Sequence, residues 1–425
     1  MAVSQESRLT RSNLSPLNRH LKLPDGSRPK VSLREITLRQ FVWHNADWTL
    51  TQKLYWLRCL DDAGVQRTAL RITDLDGDVV VRGAREAGLQ IQIELYGKSW
   101  IKANWQHTIA TARAAGAQCI YLTARSSDWA LQAMGGPGTS IAEMRQKSKG
   151  WAVEAIKAAK DAGLWVGLGI PYAPQADPGY LEELAVAGES AGLDLIDLAD
   201  SKGGASPIGI HTLVSNVKRA IKIPIRVHCH NDCGQSLANV IASVEAGAES
   251  VDVCVNGADP HRGGLANLAE VAVSLELLYG VDTGIKLSAL TALSRTHEAM
   301  LGWITPEHTP IVGRNAFGLR VAKGVHPVYK PGELQGGDMD EFYADPSHDE
   351  PFSPETVGNE TVLLLGKYSG LNEVAARLGQ LSLKVTDGQL ETILQMVKDR
   401  ARAHNRVVNN DELRHFVDVA RIRKS

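Results

Sequence analysis

The sequence predicts an α/β chain: a closed (β/α)8 barrel followed by a smaller, mainly helical C-terminal region. Between Val31 and about residue 280 one pattern recurs, a short apolar β-prone run, a polar turn and a longer segment with helical periodicity. Eight such units in about 250 residues match the size of a closed parallel barrel. Several of the helical segments end in Ala-Gly, and a glycine just past a helix accepts the left-handed cap that turns the chain into the next strand.

The first thirty residues are polar, basic and rich in turn formers, including Ser12 to Pro16 and Pro24 to Pro29, so residues 1–30 read as an arm. The expected strands are Val31 to Leu38, Arg67 to Thr73, Leu89 to Tyr96, Gln118 to Thr123, Leu164 to Ile170, Leu193 to Leu198, Ile225 to His230 and Ser250 to Val255. The Ala-Gly pairs are Ala63-Gly64, Ala87-Gly88, Ala115-Gly116, Ala162-Gly163, Ala191-Gly192 and Ala246-Gly247. An open doubly wound sheet is the rival architecture. Beyond the barrel, residues 31–285, comes a linker or lid at 286–360, with a helical stretch around Leu287 to Met300 and no periodicity from Thr305 to Glu355. A helical subdomain at 361–425 closes the chain, with helices near Gly370 to Leu378 and Thr386 to Arg402 and a short one after Asn410.

Composition narrows the function. The chain has 425 residues, more than one hydrophobic core usually supports, and 44% are hydrophobic. Its 46 basic and 48 acidic residues leave a formal net charge of -2, so no global field draws it to nucleic acid or membrane. Small-molecule partners are expected. Five scattered cysteines, without a secretory leader pattern, point to a reducing, cytoplasmic compartment. No apolar run approaches the roughly 20 residues of a membrane span.

The strongest local signal is Val227-His228-Cys229-His230-Asn231-Asp232 at the end of the seventh run. Alternate residues of a strand share a face, so His228 and His230 point together into the barrel mouth, where catalytic groups of this fold collect. Paired imidazoles suit Zn, Mn, Fe or Co; satisfaction by backbone and water is the structural alternative. The first run ends Glu35-Ile36-Thr37-Leu38-Arg39-Gln40. Arg39 at the same mouth can hold a carboxylate or stabilise an enolate oxygen, or else serve as a structural partner of Glu35 or Asp232.

These residues, with Val255-Asn256-Gly257 and Arg262-Gly263-Gly264, resemble the DRE-TIM metallolyase superfamily, whose barrel is a TIM barrel. Pro310 to Phe317, Gly324-Val325-His326 and Val357-Gly358 through Gly366-Lys367-Tyr368-Ser369-Gly370 resemble its synthase branch, the isopropylmalate, homocitrate and citramalate synthases. The resemblance implies a Claisen-type condensation of an acyl-CoA, acetyl-CoA above all, with a 2-oxo acid on a divalent metal (Zn, Mn, Mg, Fe or Co). It implies metal ligands His228, His230 and Gln40, catalytic Arg39, and His326 as general base, in a segment that often serves the neighbouring subunit; hence a homodimer is expected. Ser201 falls where the family has a threonine that contacts the substrate carboxylate.

The departures matter as much. Gln40 stands where the family has an acidic ligand, and a glutamine oxygen brings no charge to a divalent ion. Arg71 replaces a glutamate of strand two, Ile170-Pro171-Tyr172 lacks an acidic residue, Leu265 replaces an asparagine, and Phe41-Val42-Trp43-His44-Asn45 replaces a glycine-rich stretch. The reactive pocket is therefore expected to take a non-standard substrate. Arg71, Lys98, Arg125 and Lys202 are candidates for an anionic group such as a second carboxylate, with solvated rim charges as the alternative. Glu94 is a candidate base or metal carboxylate, or else a partner of Lys98. Two other functions stay open: a metal-dependent lyase or aldolase cleaving a 3-hydroxy acid, and a non-catalytic paralogue that binds a small acid.

Overall fold

The computed structural model describes residues 13–18, 20–44, 48–71, 76–97, 102–136, 138–319 and 350–422. Each of the eight predicted runs forms a strand: β1 (Ser32–Glu35), β2 (Arg67–Arg71), β3 (Gln92–Tyr96), β4 (Cys119–Thr123), β5 (Trp165–Pro171), β6 (Leu195–Asp200), β7 (Ile225–Cys229) and β8 (Ser250–Val253). They pair in chain order into one closed parallel barrel. The closing pair sets Arg34 opposite Asp252, which eliminates the open-sheet alternative. All six glycines of the Ala-Gly pairs adopt positive φ. At Gly64, φ is 86° and a Cβ would stand 2.4 Å from the Gly284 carbonyl oxygen, so no other residue fits that turn.

Several of the helices between strands begin on side-chain caps that stop the chain from fraying into the strand before. Ser140 accepts from Glu143 N and Glu143 answers to Ser140 N, starting the helix Ile141–Asp161. Ser206 accepts from Gly209 N and Asp177 from Tyr180 N, capping the helices Pro207–Ala220 and Pro178–Ser190 without a reciprocal bond, each with proline in the first turn.

Unusually charged residues fill the barrel interior. Arg34 on β1 bonds Glu94 on β3 and Asp197 on β6, strands that are not its neighbours, so these side chains meet through the lumen. Arg34, Glu94, Asp197, Arg226 and Asp252 are all fully buried. Three carboxylates face two arginines at the centre, with Arg67 adding a third cation from β2, 3.2 Å from Glu94. Mutual pairing is what makes such burial tolerable.

The described residues form two compact units, those within Leu17–Ile304 and those within Thr305–Ser425 together with the ones up to Pro16. The first therefore extends beyond residue 285, where the sequence suggested a boundary. The helix Leu290–Leu301 belongs to it: Ser294 Oγ donates to Asn256 Oδ1 at 2.6 Å, and His297 packs 5.8 Å from Trp56. In the second unit, the helices Leu371–Gln380, Asp387–His404 and Asn410–Ile422 bury Val374, Ile393, Val397, Leu413 and Phe416. The last of these helices runs 13 residues, longer than the short segment expected. Two short strands, Gly318–Leu319 and Val362–Leu363, pair in parallel within this unit.

Candidate active site at the barrel mouth

His228 and His230 sit side by side at the end of β7, 4% and 5% exposed, with ring centroids 5.0 Å apart. Cys229 between them is fully buried and points the other way, as strand alternation requires. His228 Nδ1 lies 2.9 Å from Asp252 Oδ2. Arg34 grips both oxygens of Asp252 at 2.7 Å. Burial would raise the Asp252 carboxyl, but Arg34 and His228 hold it well below the usual carboxylate range. An ionised Asp252 only accepts hydrogen bonds, so His228 donates through Nδ1 and presents Nε2 to the mouth. Burial, followed by His228, Arg262 and His261, pushes His230 down to about 2, leaving a neutral imidazole. Its Nδ1 is buried and has no hydrogen-bond partner among the described residues. His261, from the loop after β8, packs 5.6 Å from the His230 ring.

The expected third ligand is differently engaged. Gln40 is buried at the mouth, and its Nε2 donates to Asp259 Oδ2 at 2.9 Å, leaving only its oxygen as a donor atom for a metal. Asp259 is itself turned by the His261 N–H, 2.9 Å away on its other oxygen. Leu265 packs in an apolar cluster with Ile36, Ala69 and Cys254, so that position contributes no polar atom. Among the described residues, no group of three or more His, Cys, Asp or Glu side chains is placed to hold a metal.

Arg39 enters the mouth from the helix Thr37–His44. Its Cζ lies 5.7 Å from the Tyr96 ring centre and 5.9 Å from that of Tyr121, and its nearest carboxylate is Asp252 at 3.9 Å. Its guanidinium makes no hydrogen bond within the described residues. Tyr121 in turn donates to Asp197 Oδ2 at 2.8 Å, and burial, then Asp197, raises its hydroxyl far above the usual range. Gly169 makes room for it: a Cβ there would fall 2.0 Å from the Tyr121 oxygen.

Glu94 is a correction. It lies two residues below the rim on β3, where Tyr96 occupies the mouth position. Arg226 binds both its oxygens at 2.9 and 2.7 Å, and Arg34 and Arg67 complete the ring of cations. Burial would raise its carboxyl, yet Arg226 and Arg34 hold it near 2. A carboxylate so strongly paired and so deep is a structural anion, and neither a base nor a metal ligand.

The proposed substrate cations separate. Arg71 on β2 has its Cζ 5.4 Å from the centre of the Tyr96 ring, which Arg39 also faces. Lys202 follows β6, on the opposite side of the barrel, with Nζ 5.3 Å from the Trp129 ring and 6.0 Å from that of Tyr172. Ser201 Oγ accepts from Tyr172 N at 3.1 Å, fixing a tyrosine held at φ 59°. His326 and Lys98 lie outside the described residues. Sequence reasoning did not single out Asp252, Tyr121, Tyr96, Asp259 or His261; only the alternation along β3, β4 and β8 could have aimed the first three inward.

Comparison with known proteins fits this mouth to a family. Residues 33–296 match the HMGL-like family model, and residues 336–405 match the homocitrate synthase post-HMGL domain-like model. The chain belongs to the HMGL-like family. Within it, the second match and the curated relatives place the chain in the synthase branch of the DRE-TIM metallolyases. It is 32% identical to a 2-isopropylmalate synthase of Sulfolobus acidocaldarius, over 90% of this chain and 94% of the relative. It is 33% identical to a putative (R)-citramalate synthase of Archaeoglobus fulgidus over 85% of this chain and 70% of the relative. A probable 2-isopropylmalate synthase of Methanopyrus kandleri is 31% identical over 83% of this chain, which spans only 66% of that relative.

Among solved structures, the HMG-CoA lyase of Bacillus subtilis superposes with a TM-score of 0.55 at 19% identity, over 66% of this chain and 96% of that one. An HMG-CoA lyase from Acinetobacter baumannii, in complex with coenzyme A and 3-methylmalate, does so at 0.54 and 22%, over 65% and 92%. At such identity these show that this HMGL-like chain shares their barrel.

Proposed function

We propose that this HMGL-like protein condenses an acyl-CoA, acetyl-CoA above all, with a 2-oxo acid, at a divalent metal held by His228 and His230. One observation carries the metal assignment: the buried Nδ1 of His230, without a partner among the described residues, stands beside a His228 whose orientation Asp252 fixes. A neutral buried imidazole without a partner is costly unless it has a ligand, and this ring beside His228 suits an open site completed by substrate and water. The Gln40 oxygen is the remaining candidate donor from the chain. When bound, the ion supplies Lewis-acid polarisation of the acceptor carbonyl.

The chain's own groups do the rest. Asp252 keeps His228 in one tautomer, and Arg34 keeps Asp252 charged. The Arg39 guanidinium makes no hydrogen bond among the described residues and lies 3.9 Å from Asp252, the partner of His228, so it suits the oxygen on which negative charge develops. His326 is the base in this reading, supplied by the segment after the barrel, and a homodimer would let that segment serve a neighbouring mouth. The synthase names of the relatives support condensation over cleavage. Among the described residues, no helix is long and apolar enough to cross a membrane.

The test is a free-thiol assay on the purified, metal-supplemented protein over a panel of acyl-CoAs and 2-oxo acids. Thiol release that needs both partners is expected for at least one pair. Release from no pair would contradict the proposal.

A further inference from the structure

Gln40 comes from the helix Thr37–His44 after β1 and Asp259 from the loop after β8. Those two strands close the barrel, so residues 219 positions apart in the chain meet at one point of the mouth. Both side chains are buried, 5% and 2% exposed, and Gln40 Nε2 donates to Asp259 Oδ2 at 2.9 Å. The other oxygen of Asp259 accepts from His261 N, also at 2.9 Å. Among the described residues, no lysine or arginine forms an ion pair with Asp259, and Arg262 in the same loop is committed to Asp232 at 2.6 Å. The acids of the lumen are different, since Glu94, Asp197 and Asp252 all face Arg34. A buried carboxylate with no counter-charge is costly, and a cation beside it removes that cost.

The loop that carries Asp259 also reaches the histidine pair. The His261 ring packs 5.6 Å from that of His230, and Leu265, at the far end of the loop, bridges to His230. Gln40 and His230 thus flank the same few residues. The Gln40 oxygen makes no hydrogen bond among the described residues. An amide whose nitrogen is fixed on a carboxylate has only its oxygen left to offer as a ligand. His228 repeats this arrangement, because Asp252 takes its Nδ1 at 2.9 Å and leaves Nε2 for the mouth. Two imidazoles and an amide bring no charge of their own to a divalent ion, and affinity follows the charge that surrounds it. Asp252 supplies little of that charge, since Arg34 holds both of its oxygens.

Resting on the assignment of the metal to His228 and His230, we propose that Asp259 is a positioning residue for that metal. It holds the Gln40 amide with its oxygen available to the ion, and it places beside the site the negative charge that a glutamine lacks.

The test is the affinity of the full-length protein for Zn2+, read by competition with a chromogenic chelator after bound metal has been stripped. Asp259→Asn keeps the shape of the side chain and removes its charge, and should weaken Zn2+ binding about 10- to 100-fold, as the loss of a residue that orients a ligand does. Gln40→Glu/Asp259→Asn moves the carboxylate onto the ligand, while the new asparagine amide can still donate to it. This exchange should return the affinity to the wild-type level or above, which a merely structural Asp259 would not allow. Wild-type affinity in Asp259→Asn overturns the proposal, and so does an exchange variant as weak as Asp259→Asn. If the wild type binds Zn2+ no better than His228→Ala/His230→Ala, the metal assignment falls as well; if binding needs the histidines and ignores Asp259, only this inference falls.

Discussion

Arg226 holds both oxygens of Glu94 inside the barrel, at 2.9 and 2.7 Å, and the same carboxylate is shared with Arg34 from β1. Removing it takes from the buried Arg226 the carboxylate that it forks, leaving Asp252 at 3.7 Å, and takes from Arg34 one of its three acids. Glu94→Ala should therefore destabilise the protein by about 3–5 kcal/mol, the cost of breaking a buried ion pair from one side. Urea unfolding checks this. A loss under about 1 kcal/mol would show that the arginines find other partners.

Glu35 gives a pH-dependent prediction. Burial lifts its carboxyl from 4.5 to about 7, against hydrogen bonds from the Thr37 hydroxyl and the backbone N–H groups of Thr37 and Val255. A carboxyl raised in the folded state contributes its stability in full below the unfolded value and loses it as pH rises through the folded one. Between pH 4.5 and about pH 7 the wild type should thus lose stability relative to Glu35→Gln, which keeps an acceptor for the same donors and does not ionise. Melting curves of both proteins across that window decide it. Parallel pH dependences would mean that Glu35 does not titrate there.

Gly169 and Tyr121 form a matched pair, since a methyl at 169 would fall 2.0 Å from the tyrosine oxygen. The ring cannot withdraw without breaking its bond to Asp197. Gly169→Ala should cost about 1–3 kcal/mol through overpacking. Combining it with Tyr121→Phe should recover part of that loss, and denaturant titration of both variants measures the recovery. Equal losses would show that the clash is relieved elsewhere.

The barrel was legible because its signals are local. Strand runs, helical periodicity and the Ala-Gly stops each lie within a few residues of one another, and the histidine pair is aimed by strand alternation alone. The interior network was not legible, because its partners are far apart in the chain: Arg34 and Asp252 are separated by 218 positions, Arg34 and Asp197 by 163. A charged residue in an alternating strand looks the same whether it faces solvent or a buried counter-ion. Glu94 was misread for that reason; two residues decide whether a β3 side chain reaches the mouth or pairs below it. Gln40 shows the reverse case, where one substitution is visible in the sequence but its partner, Asp259, emerges only from the fold.

The most direct test of the account is metal content, by elemental analysis, of the wild-type protein and of His228→Ala/His230→Ala, both purified with added divalent metal and then desalted. The account predicts close to one equivalent of metal in the wild type and essentially none in the double variant, with both proteins giving the same far-ultraviolet circular dichroism. A double variant that retains the metal, or a folded wild type that takes up none, would contradict the assignment of the paired histidines as the reactive centre.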